Sequence, residues 1–335
     1  MTGSERAPVS DMIAMAGQNL ISPMILFFAL GLAAALARSD LSFPEAIAKG
    51  MSLYLLLAIG FKGGVSVAEA GVDATLVGAL IVGVALSAGL PVVAFRLLRA
   101  MTALSVTDAA AVAAHYGSIS IVTFVAASAA LTAQGIGHEG YMVAVAAAME
   151  APAILAALWL IARSGGGARG MEPGLMREIL LNGSIVLLVG AFLIGWITGP
   201  QGMSDIAAFI DAPFRGVLCL FLLDMGLVAG RGLRGAGRVI EPRLIAFGVV
   251  MPLVGSVAGL LAGALVGLSA GGVALMMVLC ASASYIAVPA AMRVALPEAR
   301  PAIYLTLALG ITFPFNLTLG IPLYIAVAMA VTGGG

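Results

Sequence analysis

Two serine pairs, Ser118-x-Ser120 and Ser282-x-Ser284, stand 164 positions apart, each deep inside an apolar run. The first belongs to His115-Tyr116-Gly117-Ser118-Ile119-Ser120. The second belongs to Cys280-Ala281-Ser282-Ala283-Ser284-Tyr285-Ile286-Ala287-Val288-Pro289. Gly and Ser at this density weaken a helix, and Ser caps a new one because its oxygen accepts from an otherwise orphaned N–H. Pro289 suits the opening turn of such a helix. Each stretch therefore predicts a helix broken in mid-run, with a second half that points an N-terminus of about +0.5 charge at the gap. Together the two ends offer backbone N–H groups and hydroxyls, a seat for a small anion that needs no buried cation. The candidate substrate-binding residues are Gly117, Ser118, Ile119, Ser120, Ser282, Ala283 and Ser284. The plainer reading of either stretch alone is a serine kink or a packing site.

Acids inside apolar runs are the second signal. An ionised Asp at mid-helix costs about 2.5–3.5 kcal/mol on insertion scales, so such a residue usually serves a function. Glu150 stands two residues before Pro152, and Asp224 lies well inside another run. Hard oxygens of this kind suit sodium or carry a proton. Thr312 and Asn316, on either side of Pro314, occupy the place that mirrors Glu150. A cation site at Glu150, Asp224, Thr312 and Asn316 is the expectation. The plainer alternative pairs Glu150 or Asp224 with Lys62 or Arg215 for packing. Lys62 itself, placed at the end of a run, needs nothing beyond snorkelling.

These residues need elements to hold them. The chain has 335 residues, 62% hydrophobic and only 10% charged, whereas soluble domains carry about 25% charged residues. Spanning a bilayer takes about 20 apolar residues per helix. Ten such runs are legible: Ile21–Ala37, Glu45–Phe61, Ala74–Leu98, Thr107–Ala133 and Gly140–Ala162, then Ile179–Thr198, Ala212–Gly230, Leu244–Leu268, Gly271–Leu296 and Ala302–Val331. The expected layout is an all-α membrane protein: an N-terminal segment 1–20, a five-helix repeat 21–162, a cytoplasmic linker 163–178 and a second five-helix repeat 179–331. Residues 1–20 lack the layout of a cleavable signal.

Lys and Arg set the orientation. Thirteen of them follow runs 1, 3, 5, 7 and 9, whereas only Arg6, Lys62 and Arg215 lie on the other side. Both termini are expected outside a bacterial inner membrane. The halves also echo each other. Ile59-Gly60-x-x-x-Gly64 matches Met225-Gly226-x-x-x-Gly230, the serine pairs match, and Pro152 matches Pro314, at offsets of 166, 164 and 162. Five runs per copy turn the second copy upside down, the inverted plan of many secondary transporters. In run 8, Gly255, Gly259, Gly263 and Gly267 form a ridge for close helix contact.

Other chemistries are poorly supported. Cys219 and Cys280 both lie in apolar runs, which excludes a disulfide framework. Two histidines, His115 and His138, are too few for a metal site. Gly267-Leu268-Ser269-Ala270-Gly271 fits a nucleophile-elbow pattern but lacks a preceding strand. No P-loop or dinucleotide fingerprint appears. Balanced charge, sixteen basic against sixteen acidic residues, gives no sign of a nucleic-acid partner. An enzyme is not expected, nor a resident cofactor.

Leu57-Ala58-Ile59-Gly60-Phe61-Lys62-Gly63-Gly64, the Gly117–Ser120 break, Ser284-Tyr285-Ile286-Ala287-Val288-Pro289-Ala290-Ala291-Met292-Arg293 and Leu309-Gly310-Ile311-Thr312-Phe313-Pro314-Phe315-Asn316 together resemble the sodium-dependent bicarbonate transporter family over nearly the whole chain. The resemblance implies sodium–bicarbonate symport by elevator-like motion of a core bundle against a gate bundle, in a trimer. Gly117, Ser118, Ser120, Ser282 and Ser284 would hold the anion, with Glu150 near the sodium. Cyanobacterial members tend to carry an acid where Tyr285 stands and a much longer linker. The first departure leaves ion stoichiometry open, and the second leaves open the regulation by a small soluble protein. Two rivals remain: a proton- or sodium-coupled carrier of small carboxylates or an antiporter, and a non-transporting membrane component that binds a ligand or partner through the Arg231–Arg243 loop.

Overall fold

Every described stretch of regular structure in the computed structural model is helical. The description covers residues 22–163, 181, 183–235, 241–285, 288–289, 292, 296 and 298–333. The expected N-terminal segment 1–20 and, beyond Arg163, the linker 163–178 lie outside it.

The first three helices, α1 (Pro23–Leu36), α2 (Glu45–Ala70) and α3 (Ala74–Met101), open with local signals. Ser22 Oγ accepts from Ile25 N at 3.4 Å with Pro23 next in line, and Asp73 Oδ1 accepts from Leu76 N at 2.7 Å. Helix α2 continues nine residues past Phe61, where the apolar run was expected to end. Lys62 is therefore an interior residue of a helix rather than its terminus.

The fourth run is two helices, α4 (Val106–Gly117) and α5 (Ile121–Ala133). The fifth divides at Met149 into α6 (Met142–Ala148) and α7 (Glu150–Arg163). Pro152 explains that jog: it has no N–H for the Ala148 carbonyl, and its ring crowds the preceding turn. Helix α8 (Gly183–Ile210) kinks at Gly199, where φ is 58° and ψ −151°, just before Pro200. Beyond the kink it runs on to Ile210, twelve residues past the expected end at Thr198, and the Tyr54 hydroxyl donates to Phe209 O at 2.7 Å to tie that arm to α2.

Helices α9 (Phe214–Gly235), α10 (Pro242–Val266) and α11 (Ala270–Ala281) follow. The last helix, α12 (Pro301–Thr332), holds two wide-turn stretches, Thr306–Thr312 and Asn316–Gly320, around Phe313–Phe315. Pro314 and Pro322 each withhold an N–H there, and wide turns of this kind are frequent at functional sites.

Glycine contacts set the pairing. A Cβ on Gly60 or Gly64 of α2 would overlap the backbone of α8 at Leu188 or Phe192. A Cβ on Gly226 or Gly230 of α9 would overlap α1 at Phe28 or Ala35. The two matched Gly-x-x-x-Gly segments thus make matching helix pairs, α2–α8 and α1–α9. Along α10, Gly255 and Gly259 press on the α11 backbone at Cys280 and Met276. Gly267 instead closes α10 in a left-handed turn, φ 81°. The ridge packs α10 closely against α11.

Among the described residues, seven helices are long and apolar enough to cross a membrane, and three shorter apolar helices accompany them, Pro23–Leu36, Ile121–Ala133 and Ala270–Ala281. Two of the short ones adjoin the interruptions, so runs four and nine do not register as single spans. Large apolar side chains stand outward on α8 and α10, among them Ile197 at 82% and Leu265 at 84% exposed. Patches of this size would be costly in water and suit lipid. The chain is a multi-pass membrane protein.

Candidate functional site

Both interrupted helices begin on the same device. Ser105 Oγ accepts from Asp108 N at 3.0 Å to start α4, and Ser269 Oγ accepts from Gly272 N at 3.2 Å to start α11. Each cap is braced by a carboxylate. Asp108 accepts from Arg300 N, Nε and Nη2 at 2.9, 3.0 and 2.8 Å. Glu139 accepts from Ser269 N at 2.6 Å and from Ser269 Oγ at 3.0 Å. Ser269 is thus committed as a helix cap, which disposes of the nucleophile pattern around it.

Twelve residues on, both helices stop in the same way. Ser118 has φ −82° and ψ 159°, and Ser282 has φ −84° and ψ 161°. The two extended stretches then cross. Ser120 N donates to Ser282 Oγ at 2.9 Å, and Ser284 N donates to His115 O at 2.8 Å. All seven candidate substrate-binding residues, Gly117 through Ser120 and Ser282 through Ser284, are buried and come together at this crossing.

The hydroxyls there have different duties. Ser282 Oγ donates to Leu279 O at 2.9 Å and accepts from Ser120, so it is fully engaged. Ser120 Oγ caps α5 by accepting from Thr123 N at 3.3 Å and from Thr123 Oγ1 at 2.9 Å, which leaves its own proton to give. Ser118 Oγ is 1% exposed in its residue and has no hydrogen-bond partner among the described residues. The Tyr285 hydroxyl lies by Ser120 without a completed hydrogen bond. The first N–H groups of α5 have no intrahelical acceptor. Several donors therefore converge on a buried place with no Lys or Arg among the described residues of the crossing. Of the expected second half of run nine, Ile286, Ala287 and most of the residues after Pro289 lie outside the described set; Val288 and Pro289 are helical and buried.

The cation candidates divide into three cases. Glu150 opens α7, is buried, and has no ion pair or hydrogen bond among the described residues. Its neighbourhood is shared with the first break through α3. Gly117 abuts the Ser87 carbonyl, and Ser87 Oγ donates to Met149 O, next to Glu150, at 2.5 Å. Pro91 withholds the N–H that would normally bond Ser87 O, which leaves a hard oxygen in this corner.

Thr312 and Asn316 are also at the crossing, but as braces. Thr312 Oγ1 donates to Gly248 O at 2.7 Å, so the Tyr116 hydroxyl, 2.7 Å away, donates to Thr312. Asn316 Nδ2 donates to Ala281 O, the end of α11, at 2.8 Å, and Tyr324 donates to Asn316 Oδ1 at 3.0 Å. Asp224 stands apart. It is buried on α9, the partner of α1, and no hydrogen bond or ion pair joins it to either break among the described residues. Lys62 pairs with Asp211 rather than with Glu150 or Asp224.

Ser87, Tyr116 and the Asp108 and Glu139 clamps were not singled out from sequence. Ser87 had a signal, a Ser four residues before a mid-run Pro, and Ser105 and Ser269 repeat the 164-residue offset. The clamps had none, since each is a long-range contact.

No curated protein matches this chain. The sequence profile of the Na+-dependent bicarbonate transporter superfamily matches residues 23–329, nearly the whole of it. With its helices interrupted at buried serines and the buried Glu150 alongside, the chain belongs to the Na+-dependent bicarbonate transporter superfamily.

Proposed function

We propose that this protein is a secondary active transporter that couples inward sodium movement to uptake of bicarbonate or a similar small anion. One observation carries the reading: the Ser118 hydroxyl is buried, with no partner among the described residues, where the two serine stretches cross. A native structure rarely leaves such a group unmatched, and a planar oxyanion would accept from it, from Ser120 and from the α5 N-terminus. Gly117 and Ile119 with Ala283 and Ser284 shape the seat through backbone. Glu150 with the Ser87 carbonyl is the sodium corner, where oxygen ligands suit a hard cation. Asp224 is left out of that set, and Thr312 and Asn316 support it from behind.

The wider frame is part of the same proposal. Ten spans form two inverted five-helix repeats, 21–162 and 179–331, in a bacterial inner membrane with both termini outside. Helices α1, α2, α8 and α9 pair among themselves through glycine and form the gate. The helices around the crossing form a core that moves against it, in a homo-oligomer. One sodium moving inward gains about 2.3 kcal/mol per 100 mV, which offsets one anion carried against the same field.

Labelled bicarbonate uptake into proteoliposomes tests this. Uptake driven by an inward sodium gradient is the expected result. Uptake that follows a proton gradient and ignores sodium would assign Glu150 to proton carriage. Binding without uptake would leave a non-transporting receptor.

A further inference from the structure

The cleft that the serine crossing does not use lies at the far end of α5. It has a volume of about 430 Å³. Phe124, one turn beyond the Ser120 cap, forms its floor, and Ser128 and Thr132 continue the same face of α5 toward the mouth. Across from them stand Lys62 of α2 and Asp211 and Arg215 at the α8–α9 turn. The cleft therefore runs along one helix from within a turn of the crossing to the side bearing Lys62 and Arg215. The count of basic residues places that side outside.

Its charges are unequally engaged. Lys62 is ion-paired with Asp211 and lies over the Phe214 ring at 4.9 Å. Both partners are partly exposed, 37% and 52%, so the pair is solvent-screened and able to exchange. Arg215 is exposed and has no ion pair or hydrogen bond among the described residues. His138 Nε2 is 2.9 Å from Ser128 Oγ. Burial lowers the His138 pKa, partly opposed by the neighbouring Glu139, so the ring stays neutral at ordinary pH. Glu139 itself is committed to Ser269. The walls thus hold two cations against one carboxylate.

We infer that this cleft is an anion-collecting vestibule, in which Arg215 draws a small oxyanion in from outside while Asp211 keeps Lys62 from holding it. The inference rests on the proposed transport function only for the identity of the anion. A cleft lined by one sign of charge concentrates its counter-ion and speeds capture. Arg215 provides that field without entering the final seat. The Lys62–Asp211 pair moderates it, because two unpaired cations would turn a passage into a trap. Ser128 and Thr132 keep this wall polar, but the Thr132 hydroxyl already donates to Ser128 O at 2.9 Å, so the pull on the anion comes from Arg215.

Two measurements on the full-length protein decide this. In uptake assays at fixed sodium, Arg215→Gln should raise the bicarbonate KM roughly threefold or more at low ionic strength, with kcat retained. The difference should vanish in added choline chloride, since the screening length falls from about 30 Å at 0.01 M to about 8 Å at 0.15 M. Asp211→Asn should lower the KM. In the second measurement, Thr132→Cys in a Cys219→Ser background is labelled from outside with thiosulfonates of opposite charge. The anionic reagent should react faster than the cationic one, with the ratio falling in Arg215→Gln and rising in Asp211→Asn. A KM and a labelling ratio unmoved by both variants, or labelling only from inside, would overturn the vestibule. If the wild type carries no bicarbonate, the proposed function fails, and the labelling ratio still judges the vestibule.

Discussion

Ser118 and Ser282 occupy corresponding places yet have different jobs. Ser282 bridges the two breaks, whereas Ser118 keeps its hydroxyl unspent. A single hydrogen bond nets about 0.5–1.5 kcal/mol, so Ser118→Ala should raise the bicarbonate KM about twofold to tenfold with little change in stability. Ser282→Ala should lower the thermal midpoint of the purified protein as well, because it unties Ser120 N and Leu279 O together. Equal stability of the two variants would contradict this division. Glu150→Gln removes a buried carboxylate that has no ion pair among the described residues, and such a charge is costly. Its expected phenotype is loss of sodium stimulation in uptake assays with the thermal midpoint kept or raised. A variant that unfolds would show the acid to be structural.

At the scale of elements, the proline positions carry most of the argument. Pro91 and Pro252 each free a carbonyl one turn earlier, Ser87 in α3 and Gly248 in α10. Pro91→Ala returns the missing N–H to Ser87 O and should weaken apparent sodium affinity in uptake titrations while α3 stays folded. Gly255→Ala pushes a methyl into the Cys280 carbonyl at the end of α11. Overpacking of this kind costs about 1–3 kcal/mol, and here the strain falls on the second break, so transport should suffer more than expression. The breaks were legible because Gly, Ser and Pro punctuate a helix locally. The reach of α2 past Phe61 and of α8 past Thr198 was not. Neither the mixed residues after Phe61 nor the Gly199-Pro200 kink ends its helix, and tertiary contacts such as Tyr54 to Phe209 extend both arms. Asp224 shows a related limit of sequence reading: burial in an apolar run says that an acid matters, but not which elements it stands against.

For the molecule as a whole, the two carboxylate clamps matter most. Asp108–Arg300 ties the start of α4 to the start of α12, and Glu139–Ser269 ties the loop after α5 to the start of α11. If the core moves against the gate as proposed, its helices need such fixed ends to travel as one body. Asp108→Asn weakens charge-assisted bonds worth about 1.5–3 kcal/mol, and both it and Glu139→Gln should lower the thermal midpoint. Neither should alter the sodium dependence of residual uptake. These long-range ties lay beyond sequence reasoning, since nothing near Asp108 announces Arg300.

The kinship between the halves is broken at one hydroxyl. On one side a proline-freed carbonyl, that of Ser87, is bonded by no side chain among the described residues; on the other the equivalent oxygen, Gly248 O, accepts from Thr312. In the proposed mechanism that difference leaves one seat for the driving ion. A Thr312→Glu substitution would make the halves chemically alike. It should then add a sodium to each turnover and, with it, a net current across the vesicle wall.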